Sequence, residues 1–165
     1  MAQAMLSARL AARGSTVPVT SAGLLGGRRP PPEVISVLAA RGIDATGHRS
    51  RAVTAADLAG ADLVLGLARE HVRHAVVVLP QAWPRTFTIR ELIRLGRQSG
   101  GRAPGEPFGD WLARAAGDRS RRGLLGSNPA DDVADPAGGP LRGYQATADL
   151  LDQLTRDLVE LGRLS

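Results

Sequence analysis

The order of apolar segments along this chain of 165 residues predicts an α/β fold. Residues 62–66 and 85–89 are runs of strand length, and each is followed by a segment with helical spacing. Parallel strands need a long crossover between them, which is most often a helix. The alternation therefore predicts a three-layer sandwich, with a short parallel sheet between two layers of helices.

The first 32 residues are expected to form a helix, a strand and a loop. Residues 1–13 have apolar side chains near helical spacing and are followed by Gly14, which predicts a helix that begins without a capping side chain. Residues 17–22 are β-rich and end in small side chains, which predicts a buried strand. Glycine and proline are frequent in residues 24–32 and predict a loop there.

Helix signals recur through the middle of the chain. Pro32 stands in the first turn of a segment that ends at a glycine, as is typical of a helix. Residues 54–57 have the spacing of a capping box and predict the start of another short helix. A helix is also expected over residues 69–78, with a stop at Pro80, and a further one should follow the second strand through Leu95.

The C-terminal part contains a predicted insertion and a long final helix. Residues 96–129 are rich in glycine, proline and arginine, and one helix over residues 107–116 should bury apolar side chains there. These side chains are Phe108, Trp111 and Leu112. A helix with a leucine stripe is expected over residues 141–164. We therefore predict a single domain over residues 1–165 with an insertion at about 96–129.

Composition excludes several classes of function. All 21 basic residues are arginine, but the surplus charge of +5 is spread along the chain and aromatic residues make up only 3%, so nucleic-acid binding is not predicted. No apolar run approaches the roughly 20 residues of a membrane helix, and a cytoplasmic protein is the default expectation. The absence of cysteine excludes disulfides, thiolate metal sites and a cysteine nucleophile within these residues.

Three histidines and one acidic loop are the candidate chemical groups. His71 and His74 are three residues apart on a predicted helix, but no third ligand is evident and an arginine lies between them, so no metal site is predicted. His48 lies in a predicted loop and is a better candidate for a hydrogen-bonding residue than for a catalyst. None of these histidines defines a reaction by itself.

The acidic loop contains Asp131, Asp132 and Asp135. These carboxylates are compatible with a magnesium site, a solvated turn or a general acid, and composition alone leaves the three open. A general acid needs a carboxyl group on a loop over a cleft, and the proline after Asp135 would fix the backbone that presents it.

Several stretches together resemble the low-molecular-weight protein tyrosine phosphatases, in the order of that family and over nearly the whole chain. Residues 1–9 resemble the family's first helix, which follows its phosphate loop. The most specific likeness is Ala-Asp-Asp-Val-Ala-Asp-Pro followed by Gly-Gly-Pro, which resembles the loop that carries the family's general acid. The other matching stretches are residues 20–23, 39–44, 47–51, 61–65 and 85–92.

The resemblance implies a two-step phosphoryl transfer from a phosphotyrosine protein or an aryl phosphate. In the family, a cysteine thiolate takes the phosphoryl group and a loop aspartate protonates the leaving tyrosine oxygen; water then hydrolyses the phosphocysteine. The resemblance assigns the general acid and base to Asp135. It makes Ser21 and His48 the hydrogen-bonding residues that support the phosphate loop. It implies no metal and no cofactor.

The family's phosphate loop, a Cys, five residues, an Arg and a Ser or Thr, would lie immediately before Met1, and the first, central strand would be missing with it. On this resemblance these 165 residues are inactive by themselves, and we expect the sequence to be truncated at its start. The alternative is a non-catalytic remnant of a phosphatase that acts as a binding protein. Ala137 is a further departure, because an aromatic residue usually follows Asp-Pro in the family.

Overall fold

The computed structural model describes residues 1–117, 119–124 and 128–164. Over these residues it has helices and strands in alternation, which confirms the α/β class. The helices are α1 (Ala2–Ala11), α2 (Pro32–Ala39), α3 (Ala55–Ala59), α4 (Arg69–Val78), α5 (Ile89–Ser99), α6 (Phe108–Ala116) and α7 (Leu141–Gly162). The strands are β1 (Val64–Gly66) and β2 (Thr86–Thr88), and short 3₁₀ helices span Pro80–Arg85 and Arg121–Leu124.

The chain divides into two compact units. Unit 1 consists of Met1–Ala52, Ala134–Val159 and Leu164–Ser165. Unit 2 consists of Val53–Val133 and Glu160–Arg163. None of the described helices is both long and apolar enough to span a bilayer.

Unit 2 contains the sheet. Strands β1 and β2 pair in parallel, with Leu65 opposite Phe87 at the centre of the register. Helix α4 connects them, so the predicted strand, helix and strand are confirmed. All three residues of β2 are buried, and Phe87 has no exposed surface, which places the sheet inside the core of this unit.

Capping boxes start two helices of unit 2, and the sequence predicts the first of them, at residues 54–57. The Thr54 hydroxyl accepts the Asp57 N–H at 3.2 Å, and an Asp57 carboxylate oxygen accepts the Thr54 N–H at 2.9 Å. Thr88 and Glu91 make the same reciprocal pair at the start of α5. Because α5 begins directly after β2, this second box fixes the strand-to-helix turn.

The segment after α6 is fixed to the sheet by Arg119. Its guanidinium lies 4.0 Å from the ring centroids of both Trp83 and Phe87. The same group donates to both carboxylate oxygens of Glu91, at 2.7 and 3.0 Å, and to the Thr86 carbonyl at 2.8 Å. The two cation–π contacts and the bidentate ion pair together hold Arg119 against β2 and α5.

The described part of the region predicted to be an insertion includes the end of α5 and the helix α6, which buries apolar side chains. Helix α5 extends to Ser99, so it continues three residues beyond Gly96, where the insertion was expected to begin. Helix α6 buries Trp111 completely and Leu112 almost completely, while Phe108 is half-buried with its ring centroid 5.6 Å from that of Trp111. A Cβ atom at Gly96 would lie 3.2 Å from the Trp111 ring, which explains a glycine in this helix.

The turn before α6 should lower the free energy of unfolding as the pH falls through the acid range. The Arg114 guanidinium and the Ala103 N–H both bond to the Glu106 carboxylate, and they hold the pKa of that group below its ordinary value. The unfolded chain therefore takes up the proton first as pH falls, and the stabilisation present above about pH 4.3 is lost below it. We expect Arg114→Gln to flatten the acid side of a plot of the free energy of unfolding against pH, measured by urea denaturation.

The matched control for this prediction is Arg122→Gln, which removes an exposed arginine from the same unit. It should leave the slope unchanged. Equal flattening by both variants would show that net charge, and not the bonds to Glu106, sets the acid limb.

Unit 1 is built around helices α1, α2 and the part of α7 that lies in this unit. Arg9 of α1 pairs with Asp152 at 2.6 Å, and Arg41, two residues after the end of α2, pairs with Asp149, so two ion pairs join these segments to α7. The leucine stripe predicted for α7 faces the core: Leu151, Leu154 and Leu158 are buried, and Leu150 and Leu161 are half-buried.

The strand predicted over residues 17–22 is wrong. These residues form no ladder, and the extended pairing is limited to a single parallel bridge between Gly23 and Ala52. Val17 is 46% exposed and Pro18 has no N–H to donate. β-propensity reflects packing on a paired surface, so a β-rich run without a neighbouring strand stays irregular.

Candidate functional site

Asp135 lies in the loop of residues 134–140 that leads into α7, and its side chain is exposed. One carboxylate oxygen, Oδ1, accepts the N–H of Ala137 at 3.0 Å. Two residues further on, the Gly138 N–H donates to the hydroxyl of Tyr144 at 3.2 Å, and Tyr144 is buried. The loop is thus braced against α7 and presents a carboxyl group to solvent.

Ser21 and His48 lie on two segments of unit 1 that are bonded to each other. The Gly23 N–H donates to the Arg51 carbonyl at 2.9 Å, and the Gly27 N–H donates to the Ser50 carbonyl at 2.8 Å. Ser21 is half-buried and His48 is exposed. Among the residues that the structure describes, neither the Ser21 hydroxyl nor the His48 ring makes a hydrogen bond. Both groups can therefore bond to a further polar segment.

The structure places all three residues of the predicted site in unit 1, but it joins only two of their segments directly. The segments of Ser21 and His48 share backbone hydrogen bonds. Asp135 stands on a different loop and shares no hydrogen bond with either side chain within the described part of the chain.

The other two aspartates of the acidic loop have structural partners. Asp131 is 2% exposed and accepts from Arg69 at 3.2 Å, from Arg94 at 3.1 Å and from the Asn128 amide at 3.0 Å. Asp132 accepts the backbone N–H of Arg69, the first residue of α4, at 2.8 Å. Asp131 and Asp132 therefore bond to neighbouring segments, whereas Asp135 is the most exposed side chain of the three.

His71 also has a structural partner that sequence reasoning missed. Its Nδ1 atom accepts the N–H groups of Leu67 and Ala68, at 3.2 and 3.1 Å, at the start of α4. The signal for this was its place three residues after the N-cap, where a side chain can reach back to the backbone. Over the described residues, no three His, Cys, Asp or Glu side chains come together as metal ligands would.

Comparison with known proteins gives concordant results. A sequence profile described as low molecular weight phosphotyrosine protein phosphatase matches residues 1–101. A low-molecular-weight protein tyrosine phosphatase from T. tengcongensis is 30% identical, with a TM-score of 0.71 and 96% of this chain and 87% of that chain covered. The chain belongs to the low-molecular-weight protein tyrosine phosphatase family. No curated protein sequence matches it.

Two further solved structures are similar to this chain. The YwlE arginine phosphatase from Geobacillus stearothermophilus is 25% identical, with a TM-score of 0.67 and coverage of 96% of this chain and 80% of that one. A low-molecular-weight protein tyrosine phosphatase from Bacillus subtilis is 23% identical, with a TM-score of 0.70 and coverage of 98% and 87%, and shows the fold alone.

The match to the family's sequence profile, over residues 1–101, includes Ser21 and His48 and does not reach Asp135. The 165 residues contain no cysteine, so they supply no thiolate for the phosphatase reaction. This composition fits a chain that is inactive as it stands.

Proposed function

We propose that this chain forms most of a tyrosine phosphatase that works through a phosphocysteine intermediate, with Asp135 as its general acid and base. The observation that carries the proposal is the exposed Asp135 carboxyl, on a braced loop, in a member of this family. A carboxyl group on a fixed loop meets the geometric need of a general acid.

In the first step the cysteine thiolate attacks phosphorus and the bond to the aryl oxygen breaks. The Asp135 carboxylic acid gives its proton to that oxygen, so the leaving group departs as a neutral phenol. In the second step the Asp135 carboxylate takes a proton from water, which attacks phosphorus and releases inorganic phosphate and the thiolate. Donation and recovery of one proton return Asp135 to its starting state.

The nucleophile must come from outside these 165 residues. We propose that the protein made in the cell carries the family's Cys-to-Arg phosphate loop, and the first central strand of a three-layer sheet, ahead of Met1. Ser21 and His48 would then support this loop by hydrogen bonds, because both side chains lie on mutually bonded segments. The substrate would be a phosphotyrosine protein or an aryl phosphate, handled in the cytoplasm without a metal or cofactor.

A non-catalytic binding protein is the second candidate, and the absence of cysteine favours it. The two candidates differ in the N-terminal peptide of the protein purified from its own cells, measured by mass spectrometry. A peptide that extends upstream through a Cys-to-Arg loop supports the phosphatase. A mature N-terminus at Met1 or Ala2 would contradict it and leave the binding protein.

A further inference from the structure

Two loops of unit 1 are held tightly together at the backbone. The Gly27 N–H donates to the Ser50 carbonyl at 2.8 Å, and the Ser50 N–H donates to the Arg28 carbonyl at 2.9 Å. The Ser50 hydroxyl accepts the Arg28 N–H at 2.9 Å. At Gly26 the approach is so close that a Cβ atom would lie 3.1 Å from the Ala52 nitrogen. The two segments therefore form one surface.

This surface, which we call the basic loop pair, consists of residues 24–29 and 48–52. Arg28, Arg29 and Arg49 are all exposed on it. The loop pair contains no aspartate or glutamate. Within the described residues, neither Arg28 nor Arg29 has an ion-pair partner. Unpaired positive charges held on one surface attract anionic groups.

Arg49 also contributes an uncancelled positive charge to the basic loop pair. Its guanidinium donates to the backbone carbonyls of Thr46 and His48, at 3.3 and 2.7 Å, and neutral carbonyls orient it without cancelling its charge. The neighbouring carboxylate of Asp44 accepts the Thr46 N–H at 2.9 Å and the Thr46 hydroxyl at 2.8 Å. Within the described residues Asp44 makes no ion pair with Arg49 and bonds to Thr46 instead.

The basic loop pair also exposes two adjacent leucines. Leu24 is 45% exposed and Leu25 is 64% exposed. Exposed leucines next to cations fit a polypeptide partner, whose side chains include both acids and apolar groups. The loop pair has no Phe, Trp or Tyr on which a base could stack, which disfavours a single-stranded nucleic acid.

We propose that the basic loop pair is a docking surface for an acidic protein segment in which carboxylates flank an apolar side chain. The carboxylates pair with Arg28, Arg29 and Arg49, and the apolar side chain packs on Leu24 and Leu25. The proposal does not depend on phosphatase activity, because binding needs no thiol. It therefore stands or falls separately from the proposed function.

The test is binding of the 165-residue chain to a fluorescein-labelled dodecapeptide with two glutamates for every leucine, measured by fluorescence anisotropy. Arg28→Ser with Arg29→Ser should weaken binding about two- to thirtyfold, which corresponds to two exposed ion pairs of about 0.2–1 kcal/mol each. Leu25→Ser should weaken this peptide's binding and leave an all-glutamate peptide unaffected. Salt should weaken binding in every case.

The matched control is Arg121→Ser with Arg122→Ser, another adjacent pair of exposed arginines in unit 2. This variant removes the same charge and should keep the affinity of the parent chain. Equal losses in the two double variants would overturn the docking surface, since net charge alone would then explain binding. Tighter binding of a single-stranded oligonucleotide of equal charge would overturn the choice of a protein partner.

Discussion

The purified 165-residue chain is expected to release no phosphate from p-nitrophenyl phosphate above the rate in buffer alone. The reason is the absence of any cysteine, because the family reaction begins with a thiolate. The measurement is released p-nitrophenol over hours, with the T. tengcongensis phosphatase as the positive control. Release that disappears in Asp135→Asn would contradict this prediction, since another nucleophile would then be at work.

The role of Asp135 is measurable in a protein that carries the proposed Cys-to-Arg phosphate loop ahead of Met1. There we expect Asp135→Asn to lower kcat by about 10²–10³-fold, within the range of general acid catalysis. The loss should be larger for phenyl phosphate than for p-nitrophenyl phosphate, because the poorer leaving group needs the proton more. Asp110→Asn, at an exposed position on α6, is the control and should change kcat little.

The largest loss of stability among the aspartates is expected at Asp131. Asp131→Asn removes a buried charge that accepts from Arg69 and Arg94 and leaves those guanidinium groups without their partner. Breaking a buried ion pair costs about 3–5 kcal/mol, and the half-exposed Arg94 reduces this here to about 2–4 kcal/mol. The free energy of unfolding from urea denaturation measures the loss.

Asp135→Asn is the matched control for the stability prediction at Asp131, because it makes the same chemical change four residues away on an exposed side chain. The free energy of unfolding should stay within about 0.5 kcal/mol of that of the parent chain. The two variants thus separate a carboxylate that stabilises the fold from one that is proposed to act in catalysis. If both lost the same stability, the distinction between Asp131 and Asp135 would fail.

The sequence predicts elements whose signals are local. Helix α4 begins and ends where its pattern and Pro80 indicate, and the capping box at Thr54 forms as its spacing predicts. The two strands on either side of α4 are also where apolar runs place them. Each of these elements is specified by residues a few positions apart, so no knowledge of distant contacts is needed.

What the sequence does not predict depends on partners far along the chain. Asp131 looks like a member of a solvated acidic run, and only its contacts with Arg69 and Arg94, 62 and 37 residues away, make it a buried group. The strand expected over residues 17–22 fails for the converse reason, because a ladder needs a neighbour that no local pattern reveals. The grouping of Ser21, His48 and Asp135 came from family resemblance and remains a proposal.

The short span that carries Asp135 has an entropic consequence. Within unit 1, the Asp135 carboxylate accepts the Ala137 N–H at 3.0 Å, and the Gly138 N–H is bonded to the Tyr144 hydroxyl at 3.2 Å. The four residues from Asp135 to Gly138 are therefore held at both ends. A segment so short loses most of its conformational freedom when the chain folds. If Asp135 acts as the proposed general acid, little entropy is then left to lose when its carboxyl group takes up the catalytic position, so folding itself sets the effective concentration of that acid.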